Sequence, residues 1–273
     1  MPGISISRLG IPFMRGGGGY SIVNPELETY ISGLVTPLSD GQLALLDTLI
    51  IALKTGLSIA NLSDAFDVMY ILAGETAESS LRNLVKDAHH ATAVNSPVFT
   101  PLEGFAGDGL SATIGTNYDF VVDKVRAALN SCAFGLYSRK DALSDGEDLW
   151  TNTNTTSGWD QKLCIKINDG RTRGMSFSGS SFHANNPNPS TGLYSISRVA
   201  SDLTLINRNG TNLDTSVVGS GIITSTPNTI IYLLDGRQYA FYYYSRGFSE
   251  EELGVMFNAI EAYMDANGKG VIA

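Results

Sequence analysis

Apolar positions recur every three to four residues in the first third of the chain, and after Asn95-Ser96-Pro97 they alternate. The early period predicts helices. "PELETYISGLV" opens with Pro25 at a first-turn position and an early Glu26. "SDGQLALLDTLIIALKTG" has Ser39 with Gln42 three residues on, a capping box, and a stripe of Leu43, Leu46, Ile50, Leu53 and Leu57. "SIANLSDAFDVMYILAG" and "ETAESSLRNLVKDAHH" read as further short helices, so a compact helical cluster is expected over residues 26–92.

The later period predicts strands. "SATIGT", "SCAFGLYS", "KLCIKIN", "RGMSFSG", "GLYSISRV", "NTIIYLL" and "QYAFYYYS" each alternate over a few residues. "LTLINRNGTNL" forms two such runs around Asn209-Gly210, the dipeptide that suits a type I′ hairpin turn. Many short strands with frequent turn residues describe an antiparallel sandwich or jelly roll, and no strand–helix–strand alternation suggests a parallel sheet.

"QYAFYYYSRGFSEEELGVM" changes character abruptly. Alternation puts Tyr239, Phe241 and Tyr243 on one face and Ala240, Tyr242 and Tyr244 on the other, so both faces are aromatic. That fits a strand covered on both sides better than a stacking platform for bases or sugars. Ser249 with Glu252 then caps a helix over 249–266, its apolar face made of Leu253, Met256, Phe257, Ile260 and Met264. The expected organisation is an arm (1–25), a helical segment (26–92) and a β-sandwich with a docked C-terminal helix (93–273).

Composition changes this picture only in part. Charged residues make up 16% of the 273 and apolar ones 43%, which suits a sandwich with a real core. The net charge of −9 argues against a nucleic-acid groove. The longest apolar run is interrupted by Asp47 and Lys54 and is too short to span a bilayer. Cys132 and Cys164, without an export signal, are expected to stay reduced, in a protein made in a cytoplasm. The arm carries Arg8 and Arg15 and no acid, followed by Gly16, Gly17, Gly18 and Gly19, a combination that reads as an assembly arm docking on a partner subunit.

Candidate chemistry is sparse. The two carboxylates of a retaining glycosidase of the concanavalin type would show as an alternating Glu-x-Asp-x-Glu run, which is absent, and the chain is therefore expected not to be an enzyme. No Gly-x-Ser-x-Gly elbow and no phosphate-cradling Gly-x-x-x-x-Gly-Lys occurs. His89, His90 and His183 assemble no metal site with the two cysteines, and no cofactor is expected. The acidic turn "DALSDGEDLW" offers Asp141, Asp145, Glu147 and Asp148 as calcium ligands, against the plainer reading of a solvated loop. Trp150 and Trp159 bracket a polar loop with Asn152 and Asn154, and "HANNPNPSTG" adds Asn185 and Asn186, amides and aromatic faces of the kind that dock sugars. Burial of one or both tryptophans in the core is the competing reading.

Three stretches carry a resemblance. "AVNSPVFTPLEGFAGDGLSATIGTNYD" (93–119) resembles the entry strand of proteins encoded by phages and prophages of Bacteroidetes, and "YAFYYYSRGFSEEELGVMFNAIEAYMDANG" their closing strand and helix. "LYSISRVASDLTLINRNG" is similar to the hairpin of laminin-G and concanavalin-like domains. The resemblance implies a concanavalin/laminin-G-like sandwich in a tailed-phage virion, as tail, fibre or capsid decoration. It also implies other virion proteins as partners, homo-oligomers, and a host surface polysaccharide as a possible ligand. A carbohydrate-binding adhesion module is the alternative function, and a glycan-degrading enzyme a more distant one.

Overall fold

The computed structural model describes residues 19–108, 111–142, 148–151, 161–177, 181–186, 189–221, 229–233 and 237–272. Its helices are α1 (Pro25–Ser32), α2 (Asp40–Gly56), α3 (Ala77–Ser80), α4 (Phe120–Asp123) and α5 (Glu250–Ala266). Among the described residues, two antiparallel sheets run in the orders given next. Sheet A is β13 (Thr211–Ser216), β12 (Leu203–Arg208), β11 (Gly192–Ala200), β6 (Cys132–Ser138), β15 (Gln238–Ser245), β4 (Gly104–Ala106) and β3 (Val98–Thr100), with β1 (Phe66–Tyr70) pairing beside β4 on β15. Sheet B is β10 (Phe182–Asn185), β9 (Arg171–Ser176), β8 (Gln161–Cys164), β7 (Leu149–Thr151), β14 (Thr229–Tyr232), β5 (Thr113–Gly115) and β2 (Thr92–Val94).

The chain forms three layers: helices, sheet A and sheet B. One core lies between the sheets and joins Phe134, Leu136, Tyr194, Ile196 and Tyr242 to Leu149, Leu163, Ile114 and Ile231. The other lies between sheet A and the helices, where Phe241, Tyr243 and Phe248 meet Leu46, Ile50, Leu53, Leu253, Met256 and Ile260. The central strands β1, β6 and β15 of sheet A are thus buried on both faces, which is why they carry few polar residues.

The 239–244 run is core, as expected, with every aromatic at most 1% exposed. Its facing differs from strict alternation. A bulge between Tyr239 and Phe241 puts Tyr239, Tyr242 and Tyr244 between the sheets and Ala240, Phe241 and Tyr243 under the helices. The extra residue flips the face on one side of it.

The expected helix over "SIANLSDAFDVMYILAG" is a strand in the structure. β1 pairs antiparallel with β15, with Tyr70 opposite Tyr242. Val68, Tyr70 and Leu72 enter the inter-sheet core while Met69 and Ile71 enter the helix-side core. A strand buried on both faces has no polar period to betray it, so periodicity alone could not separate it from a buried helix. The next expected helix shrinks to the single turn of α3, so residues 26–92 are not helical throughout.

α5 is capped as expected. Ser249 Oγ accepts from the Glu252 amide at 3.2 Å, and Glu252 Oε2 accepts from the Ser249 amide at 2.9 Å. At α2, Ser39 Oγ accepts from the Gln42 amide, but Gln42 does not return the bond; its side chain reaches Asn267 and the Tyr263 hydroxyl on α5. Asn209 and Gly210 adopt positive φ of 52° and 77°, the two left-handed positions of the predicted hairpin turn.

Candidate functional site

Most sequence-marked positions either lie outside the described residues or hold the structure together. Arg8, Arg15, Gly16, Gly17 and Gly18 lie outside, as do Asn152, Asn154, Trp159, Asp145 and Glu147. Gly19 is described and exposed. Just after it, the chain is fastened to α2. The carboxylate of Asp47, 0% exposed, accepts from the amides of Val23 (2.7 Å) and Asn24 (3.1 Å) and from the Asn24 side chain (2.7 Å). Trp150 lies in β7, its backbone paired with Lys162 and Ile230.

The acidic turn does not form a calcium site from the acids that are described. Asp148 is buried, with Oδ1 2.9 Å from Arg237 Nε, and it also accepts from the Tyr239 hydroxyl and the Ile165 amide. Asp141 accepts from the Ser190 hydroxyl and amide and from Lys166 Nζ at 3.0 Å. The Ser190 hydroxyl above all, with Lys166, holds its carboxyl down at about 2. Both carboxylates are thus engaged by protein donors rather than left for the calcium alternative, and the buried Asp148 departs from the plainer reading of a solvated loop.

Neither histidine of the 89–90 pair is helical. His89, with φ 53°, touches the Asn117 carbonyl at 2.9 Å, and His90 Nε2 lies 3.1 Å from Asp87. Among the described residues no group of three or more His, Cys, Asp or Glu could hold a metal ion. Cys132 and Cys164 are free and buried, and burial pushes each thiol up to about 11. They are protonated and unreactive at neutral pH.

Asn186, in contrast, borders a groove through its contact with Arg208. It has a volume of about 490 Å³, and its walls come from the loop after β10 (Pro189, Thr191), the β12–β13 turn (Arg208, Asn209, Thr211, Leu213) and the tail beyond α5 (Val271, Ile272). Arg208 organises it. Its guanidinium donates to the carbonyls of Thr191 (3.0 Å) and Pro189 and toward Asn186 Oδ1, and lies 5.5 Å from the Tyr194 ring centroid. Asn186 Oδ1 also accepts from the Tyr194 hydroxyl at 2.8 Å, while its Nδ2 donates to the Ile165 carbonyl at 2.6 Å. Burial raises Tyr194 to about 12 despite the adjacent cation, so the phenol stays a donor. Asn185 is exposed.

Sequence reasoning found the amide loop and missed Arg208. The signal was present: an arginine closing a strand, two residues before the Gly of the hairpin turn.

Three tyrosine–carboxylate contacts among the described residues are Tyr118 with Asp67, Tyr137 with Glu261 and Tyr239 with Asp148. In each, burial first and the carboxylate second push the phenol far above its ordinary value. They are buried structural bonds. Asp67 shows this best, since it also accepts from the amides of Val125, Arg126 and Ala127 and so closes the loop after α4.

No protein-family model matches the sequence, and no curated protein does. Solved structures resemble the fold. Trypanosoma rangeli sialidase aligns at TM-score 0.52 and 11% identity, over 85% of this chain and 40% of that one. The same sialidase with 2,3-difluorosialic acid as covalent intermediate aligns at 0.53 and 11%, over 82% and 40%. A botulinum neurotoxin serotype D binding domain aligns at 0.51 and 10%, over 71% and 52%. The chain therefore spans about two fifths of the sialidase chains. These likenesses establish a fold shared with a glycosidase and with a toxin binding domain.

They also correct the expectation that the chain is not an enzyme. That exclusion rested on searching for a pair of carboxylates, whereas sialidases use a tyrosine nucleophile. A fold shared with sialidases cannot be set aside on that search.

Proposed function

We propose that this chain is a carbohydrate-recognition module built on a concanavalin/laminin-G-like jelly-roll sandwich, with the groove beside Arg208 as its sugar site. The observation that carries this reading is the make-up of the groove. Apolar walls from Pro189, Leu213, Val271 and Ile272 face amide, hydroxyl and guanidinium groups from Asn209, Thr191, Thr211 and Arg208. Sugar rings ask for that mixture, since they present apolar C–H faces and a rim of hydroxyls. The network around Asn186 fixes the groove in advance, so little ordering entropy is spent on binding. Likeness in fold to sialidases, one of them solved with sialic acid, and to a toxin binding domain supports the same reading.

The setting is the one that the Ala93–Asp119 resemblance implies, a component of a tailed-phage particle meeting a host surface polysaccharide. It rests on that resemblance.

Screening the protein against a panel of bacterial-type and sialylated glycans tests the site. Thr211 is exposed at the groove wall, so Thr211→Trp fills the groove without removing any member of the Asn186–Arg208 network. The expected result is a bound glycan whose affinity falls at least tenfold in Thr211→Trp at unchanged melting temperature. A panel with no binder, or a binder indifferent to the substitution, overturns the assignment.

A further inference from the structure

The described lining of the groove beside Arg208 holds no aromatic ring. Where a flat aromatic plane would cover a whole sugar face, the groove offers branched aliphatic side chains, Leu213, Val271 and Ile272, each half-buried. Their positions are fixed. The pairing of β12 with β13 runs from Ile206–Asp214 to Asn207–Asn212, so Leu213 is the extra residue of a bulge, a device that re-aims a side chain. Val271 donates its amide to the Tyr137 hydroxyl at 3.2 Å and Ile272 to Glu261 Oε1 at 3.2 Å. Tyr137 in turn donates to Glu261 Oε2 at 2.6 Å, so the tail wall is tied to β6 and α5.

The charge at the groove is already spent. Arg208 is the only charged side chain among the described lining residues, and it is 8% exposed. Its Nε and Nη2 donate to the Thr191 carbonyl at 3.3 and 3.0 Å, and its Nη1 points toward Asn186 Oδ1. At the root of the tail, Lys269 and Arg139 both pair with Glu103, and next to the Pro189–Thr191 loop Lys166 pairs with Asp141, which Ser190 also holds. A carboxylate laid on the aliphatic wall would lose water without gaining one of these cations. The net charge of −9 opposes its approach as well. The polar groups that remain for a ligand are neutral. Asn209 Oδ1 accepts from the Leu193 amide at 2.9 Å, which leaves Nδ2 to donate, and the Thr211 side chain is exposed.

We infer that the groove selects neutral sugars that carry a methyl group, the acetamide methyl of an N-acetylhexosamine or the C6 methyl of a 6-deoxyhexose. The inference rests on the sugar-groove reading and names its ligand class. In either sugar a methyl beds among Leu213, Val271 and Ile272, while neighbouring hydroxyl or amide oxygens meet Asn209 and Thr211. Burying one methyl is worth about fourfold in affinity. A hydroxymethyl or a carboxylate in its place brings polar atoms to an aliphatic wall that offers them no partner.

Saturation-transfer and competition NMR at physiological salt tests it with matched probes. Chitotriose, cellotriose and β-1,4-triglucuronate share a linkage, and methyl α-L-fucoside differs from methyl α-L-galactoside only at C6. Chitotriose is expected to bind about fourfold more tightly than cellotriose, or the fucoside than the galactoside, and the pair that shows the preference identifies the source of the methyl. Triglucuronate is expected to bind roughly tenfold or more weakly than cellotriose. Val271→Thr exchanges one wall methyl for a hydroxyl and is expected to erase the preference, while Thr211→Trp, which fills the groove, weakens every probe that binds. Equal or reversed affinities within both neutral pairs, tighter binding of triglucuronate, or no binding by any of these probes overturns the ligand class. The groove itself falls only if the wider glycan panel also holds no binder that Thr211→Trp weakens.

Discussion

Arg237 is one of the largest fully buried side chains among the described residues. It is 0% exposed, pairs with Asp148 and donates to the carbonyls of Ala142 and Lys166. Breaking a buried pair by removing one partner leaves the other charge uncompensated, so Arg237→Met should cost roughly 3 to 5 kcal/mol in urea unfolding. A loss under about 1 kcal/mol would show that the pair is neutral to folding. Asp141 makes a pH-dependent contribution of the opposite visibility, at the surface. Its folded value is depressed to about 2, from 3.8, by Ser190 and then Lys166. Its stabilisation is therefore full above the unfolded value and is lost as pH falls from about 4 toward about 2. Ser190→Ala should lower stability at pH 7 and flatten the acid limb in that window while leaving stability near pH 2 almost unchanged, as melting curves from pH 2 to 7 would reveal. At this scale the sequence was legible only where a residue type has one habit. Asn209-Gly210 announced its turn, whereas Asp148 and Asp141 looked like a solvated or calcium-binding loop. What distinguishes them, Arg237 and Ser190, lies 89 and 49 positions away, beyond any local pattern.

Elements were legible in proportion to how one-sided their burial is. α2 and α5 each bury one stripe and expose the other, so their period and caps were readable. β1 and β15 are buried on both faces, and their apolar runs carry no period. For β15 its aromatic content and flanking helix cap still gave the strand; for β1 the preceding helices pulled the reading the wrong way. The β15 bulge left no local signature either, since residues on both its faces are aromatic. The Ser249 cap, by contrast, is local and separable. Ser249→Ala should cost about 1 kcal/mol, because the Glu252 amide loses its acceptor while Glu252 keeps Arg246 at 2.6 Å. Equilibrium unfolding of the variant checks this, and a loss nearer 3 kcal/mol would mean that the cap is coupled to the Phe248–Ser197 contact beside it.

The whole molecule folds around sheet A, and β1 is what binds its two chain halves into one unit. A division at residue 92 would separate a helical segment from a sandwich, yet Phe66, Met69 and Ile71 pack with Tyr243 and Phe248 from the far end of the chain. Phe66 lies 6.1 Å from the Tyr243 ring and 5.5 Å from that of Phe248, both edge-on. Removing residues 19–92 would strip α2 from α5 and uncover Phe241, Tyr243 and Met256, whose burial at about 25 cal/mol per Å² is a main source of stability. It would also delete Asp67, on which the 125–127 turn of the remaining sandwich closes. A chain beginning at Ala93 is therefore expected to be insoluble or to bind a hydrophobic dye strongly, without a cooperative melt. The full chain should melt in a single transition by both far- and near-ultraviolet circular dichroism. Two resolved transitions in the full chain, or a soluble and cooperatively folded 93–273, would show that the helices are an appendage. In that case the proposed sugar groove, which lies on the sandwich and its tail, could be studied without them.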